Sequence, residues 1–195
     1  MKPCDYNMFV ANVKNGDFGL IQSTNFFGKL QKLYWKKFKE GDLFATHGFY
    51  VKTPPQISEA NGIIISSNAT FLKDIGDTTK CWFFRNLYLT ADQLTQMNLY
   101  VEGAEETGGH YSVWGILQFA KKYLTPTYQM KDESGVFCSE YQVRIIEAAH
   151  IPCTTIPPWQ VDPSSFLNWL MSDDAKAKGW INVGYYDGNK NYQIA

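Results

Sequence analysis

At about Thr90 the sequence changes its period. Up to Leu89 it carries short β-branched and aromatic runs punctuated by Gly, Asp and Pro, and beyond Thr90 its apolar residues recur at helical spacing. Strands come first and helices second, the order of an α+β fold. The expected strands are Phe18 to Gln22, Leu43 to Val51, Ile57 to Ser66 and Trp82 to Leu89, with one helical insert over Gly28 to Lys39. Thr90-Ala91-Asp92-Gln93 fits a capping box and opens the first of three expected helices: Ala91 to Gly103, Tyr111 to Leu124 and Val136 to His150. Asp162-Pro163 predicts a capped short helix, and Asp187-Gly188 the turn of a closing hairpin after Trp180.

A chain of 195 residues, with no repeat and no low-complexity linker, is expected to form a single domain over 1–195. The net charge of −1 supplies no field for phosphate backbones, so nucleic acid is not an expected partner. No apolar stretch has the length of a signal peptide or a membrane span, which predicts a protein made in the cytoplasm, able to act elsewhere if another protein or lysis delivers it, for which membrane contact is not expected. Cys4, Cys81, Cys138 and Cys153 show no CxxC spacing, and three histidines are few for a metal cluster. The expectation is reduced thiols, no metal and no cofactor.

Three segments carry chemistry. Gly135-Val136-Phe137-Cys138-Ser139-Glu140-Tyr141 places Cys138 in the first turn of a helix, where unpaired backbone amides and the positive end of the helix dipole favour a thiolate nucleophile. A small buried core residue fits the same position. Thr46-His47-Gly48-Phe49-Tyr50-Val51 reads as a strand with Ala45, His47, Phe49 and Val51 on one face, and a thiol hydrolase needs such an imidazole to take and return a proton. His110 and His150 fall at helix ends, where capping or dipole roles suffice. If the chain reverses near Thr53-Pro54-Pro55, Glu59 comes close to opposite His47 and can orient its ring.

In that order, these pieces resemble the circularly permuted NlpC-type papain-like superfamily, particularly its YiiX-like and lecithin:retinol acyltransferase-like branches. Gly16 to Gln22 is similar to the opening strand, Thr46 to Val51 to the histidine strand, Glu59-Ala60 to the third-residue strand and Phe137-Cys138-Ser139-Glu140 to the nucleophile signature. Val161 to Phe166 is similar to the family's short closing helix, and the likeness spans about residues 16–170. It implies a papain-like α+β fold, an antiparallel sheet or half-barrel packed against a helical layer with the nucleophile at a helix N-terminus, and a Cys138–His47–Glu59 triad, with Tyr111 and Ser139 supporting the substrate or the site.

The resemblance further implies hydrolysis of a peptide or acyl-amide substrate, with bacterial cell-wall peptides the commonest substrate of related branches. Lipid ester or amide hydrolysis, or acyl transfer, is the alternative on the same fold; the lysines of Gly28 to Lys39 could suit a membrane-linked substrate, although a solvated face over the core explains so short a helix more simply. A different class of protein also fits: a binding module with an idle cysteine, using its abundant rings and Trp35, Trp159 and Trp180 at an interface.

Overall fold

A computed structural model of the chain describes residues 1–22, 43–61, 64–70, 80–108, 118, 121, 125, 130, 136–188 and 191–195. The helix expected over Gly28 to Lys39, Trp35, His110, Tyr111 and most of the helix expected over Tyr111 to Leu124 lie outside the described residues.

Eight strands build one sheet: β1 (Lys2–Cys4), β2 (Phe18–Gln22), β3 (His47–Val51), β4 (Gln56–Asn61), β5 (Ile64–Thr70), β6 (Lys80–Asn86), β7 (Trp180–Tyr186) and β8 (Tyr192–Ile194). Their order is β1-β8-β7-β6-β2-β3-β4-β5, and every neighbouring pair is antiparallel. The described helices are α1 (Tyr6–Asn12), α2 (Ala91–Glu106), α3 (Cys138–Ala148), α4 (Pro163–Leu170) and α5 (Asp173–Ala177), with a 3₁₀ turn at Pro158–Gln160. The class is α+β, with an open antiparallel sheet.

Alternation along the strands sorts their side chains onto two faces. Phe18, Leu20, Tyr50 and Phe84 pack against residues of α2, α3 and α4, whereas Ile21, Phe49, Val51 and Phe83 pack with Phe9 and Val13 from the α1 segment. Edge-to-face ring contacts organise both sides: Phe18 meets Tyr50 and Trp180 on one, and Phe83 meets Phe9 and Phe49 on the other. Each fully buried aromatic of this kind contributes roughly 1.5–3 kcal/mol by leaving water.

Local signals place the helices. The Thr90–Gln93 capping box forms at the start of α2, and Asp162 accepts from Ser165 N to cap α4. Between β2 and β6, the carboxylate of Asp17 takes two bonds of 2.7 Å from Arg85 and one of 2.8 Å from Lys14 N, while Arg85 also reaches Asn12 O. Asp17 is wholly buried, and burial pushes its carboxyl up against the opposing pull of Arg85.

Several expectations need correction. The strand expected over Ile57 to Ser66 is two strands, because the chain reverses between Asn61 and Ile64, which pair. The strand expected to start at Leu43 starts at His47. Leu43 and Ala45 instead bond side chains of α4: Asn168 Nδ2 donates to Leu43 O, and Ser164 Oγ both donates to Ala45 O and accepts from Ala45 N. Ala45 therefore packs on the helix side, away from Phe49 and Val51. Trp180 is 1% exposed, its ring spent on the core rather than on an interface, and Trp159 is half-buried. The strand β1 and the Asp5-capped helix α1 were not among the expected elements.

Candidate active site

Cys138 is the first residue of α3. Eight of the eleven α3 residues are buried, so tertiary packing rather than capping holds this helix. Its N-cap is Phe137, which offers no side-chain cap, whereas α1, α2, α4 and α5 are each capped by Asp, Thr, Asp or Ser. Among the described residues no side-chain oxygen caps the end of the helix where Cys138 sits, the end at which backbone amides can bind an oxyanion.

The polar residues inside this buried helix are bonded. Ser139 Oγ donates to Val161 O at 2.6 Å and ties the helix to the segment before α4. It is a strut under the site, which fits the supporting role expected of it. Arg144 donates to Glu140 at 2.7 and 2.9 Å. Tyr141 shares a 2.9 Å bond with Ser58 on β4, the residue before Glu59. Gln142 donates to Gly19 O and Phe49 O, on β2 and β3.

His47 opens β3, and its approach is fixed from both sides. Thr46 N and Oγ1 both donate to Ile21 O, while α4 holds Leu43 and Ala45. Glu59 reaches His47 on a diagonal. Tyr50 pairs with Ser58 and Val51 with Ile57, so the next step of the register sets Glu59 across from Phe49, two residues along from His47 on the same face. His47 Nε2 donates to Glu59 Oε2 at 2.5 Å.

With Nε2 committed to the carboxylate, Nδ1 is the nitrogen left for Cys138, which lies close enough for its charge to act on the ring. Side-chain exposure separates the two members of the ion pair: 22% for His47 against 3% for Glu59. The structure thus brings together Cys138, His47 and Glu59, the three residues singled out by motif. Tyr111 lies outside the described residues.

Burial alone would hold the His47 imidazolium down. The charge and hydrogen bond of Cys138, followed by the hydrogen bond and charge of Glu59, outweigh it and push the ring up to about 10. A raised pKa means that the protonated ring stabilises the fold fully below the unfolded value near 6.5 and that this contribution is lost as pH rises through about 10. Thermal melts across that window are expected to show wild-type Tm falling more steeply with pH than the Tm of His47→Gln. Parallel curves for the two proteins would remove the imidazolium from the account.

Gln142, Tyr141, Ser164 and Asn168 were missed by motif reading. A glutamine between Tyr141 and Val143, in a helix otherwise committed to the core, was a usable signal, as were the glycines of β2 and β3, since glycine inside a strand marks a close approach. A Cβ on Gly48 would lie 2.0 Å from Gln142 Oε1, and one on Gly19 would lie 2.0 Å from the Phe49 ring.

No protein-family model matches the chain, and no curated protein matches its sequence. Among the described residues no group of three or more His, Cys, Asp or Glu side chains is arranged to hold a metal ion, and no helix is long and apolar enough to cross a membrane.

Proposed function

We propose that the chain is a permuted papain-like cysteine hydrolase that cleaves an amide bond in a peptidoglycan-type peptide. The observation that carries the reading is the bond from His47 to Glu59 with Cys138 close to the same ring, at a helix end that no side chain among the described residues caps.

His47 Nδ1 takes the proton of the Cys138 thiol, and Glu59 steadies the resulting imidazolium through Nε2. The thiolate attacks the amide carbonyl carbon, and its oxygen, now negative, is held by backbone amides of the α3 first turn, including that of Cys138. The imidazolium gives its proton to the leaving amine as the C–N bond breaks, which leaves a thioester on Cys138. Water then gives a proton to His47 and attacks the thioester. The acid departs, and the thiol recovers its proton. The amide specificity rests on the family resemblance and on an aromatic-rich chain able to line a cleft.

Incubation with muropeptides and, in parallel, with phospholipids and fatty-acyl amides tests the substrate class. Release of new amino groups from muropeptides alone is the expected result. Turnover of acyl lipids alone would reject the cell-wall substrate and keep the cysteine chemistry. Silence on all substrates, together with a thiol inert to iodoacetamide, would reject the enzyme in favour of a binding module.

A further inference from the structure

The helix carrying Cys138 is joined to the strand carrying His47 by an amide that the proposed chemistry does not use. Gln142 lies one helical turn after Cys138, so the two side chains leave the same face of α3. It is fully buried, and its Nε2 donates to Gly19 O at 3.0 Å on β2 and to Phe49 O at 2.9 Å on β3. Gly19 and Phe49 are partners across the β2–β3 pair, and His47 pairs with Ile21 one hydrogen-bonded step along. One NH₂ group therefore grips both strands beside the histidine. The two carbonyl acceptors also decide which end of the amide is nitrogen. The oxygen end has no partner among the described residues and occupies the space that a side chain at position 48 would need.

Packing does not account for this choice. A methionine would fill a similar volume without leaving a buried acceptor unpaired, and it would make no demand for a second donor–acceptor match. What the amide adds is a fixed length between α3 and β3, and Gly48 is the residue that makes room for it. We infer that Gln142 is a positioning residue: it sets how far the Cys138 sulfur sits from the His47 ring, and so how completely the thiol proton passes to the imidazole. The inference rests on the cysteine-hydrolase reading above.

The test follows the alkylation of Cys138 by iodoacetamide in the full chain against pH, site by site, by mass spectrometry. Cys153, which burial pushes up to about 12, and Cys4, raised chiefly by burial, serve as slow internal references. Wild-type Cys138 is expected to react at mildly acidic pH. Gln142→Met is expected to react about tenfold or more slowly there, with its profile moved toward the alkaline rise of an ordinary thiol. Gln142→Glu, whose protonated carboxyl keeps one donor, falls between them. Ile146→Val, a buried change in the same helix, is expected to lower Tm and leave the profile in place.

Where Gln142→Met does not fold, Gly48→Ala, which drives the amide off its carbonyls, is read in the same way. A reactive wild type with unchanged profiles in the Gln142 variants overturns the positioning role and leaves the hydrolase reading standing. A wild-type thiol inert at every pH overturns both.

Discussion

Cys138→Ala is expected to keep the fold and to lose turnover by about 10⁴- to 10⁶-fold on whichever substrate class the protein cleaves. The change removes one sulfur from the first residue of a helix held by seven other buried residues, so packing is little disturbed. The loss in rate is large because the nucleophile is the only group of the three that forms a bond to the substrate. A physical signature accompanies it. Cys138 is the strongest of the groups that raise the His47 ring, so the imidazole of the alanine variant should titrate well below its wild-type value while still bonded to Glu59. Steady-state rates with Cys153→Ala as the control, together with NMR titration of the ring, check both statements. Turnover within tenfold of wild type would take the nucleophile role away from Cys138.

Arg85→Ala is expected to destabilise the fold by about 3–5 kcal/mol, the usual consequence of removing one partner from a buried ion pair. Asp17 has no exposure to water, and three of its described hydrogen bonds come from Arg85 Nε, Arg85 Nη2 and Lys14 N. Without the guanidinium, the carboxyl must either stay charged without its cation or take up a proton against the Lys14 amide. Arg85 also leaves Asn12 O bare at the end of α1, so the damage spreads from the β2–β6 pair to the helix that covers the second face. Urea denaturation measures the effect. The double variant Asp17→Asn, Arg85→Met is expected to recover part of the loss, because no charge is then stranded. A loss under about 1 kcal/mol for Arg85→Ala would mean that the pair is far more hydrated than its burial implies.

The elements most legible in the sequence were those whose signal is local. Thr90–Gln93 and Asp162–Pro163 cap their helices through side chains three residues from the groups they bond, and such chemistry can be read without knowing the fold. The same holds for Asp187-Gly188, where Gly188 takes a φ of +89° between β7 and β8. The split of Ile57 to Ser66 into β4 and β5 was equally local, since Asn61 pairs with Ile64 and Gly62 follows directly between two β-branched runs, a glycine at the first of two loop positions being a hairpin signal. The start of β3 was not legible in principle. Leu43 and Ala45 look like strand, and what takes them out of the ladder is Ser164 and Asn168, more than a hundred residues away. The site divides the same way. The three chemical groups were visible by type and order, whereas the partners of Gln142 and Tyr141 become visible only when α3 lies on the sheet.

The strand β1 lies against β8 with Lys2 opposite Ile194, so the first and last stretches of the chain run side by side along one rim of the sheet. Counting through β8, β7, β6 and β2, that rim is five strand spacings from β3, about 24 Å along the sheet. A tether to a surface, a reporter dye or a neighbouring module joined at either extremity would thus attach on the side away from His47. Because the extremities are neighbours, a short peptide could also splice them, with a new opening cut at the Asp187–Asn191 turn. The result would be a chain with a different beginning and the same arrangement of Glu59, His47 and Cys138 in space.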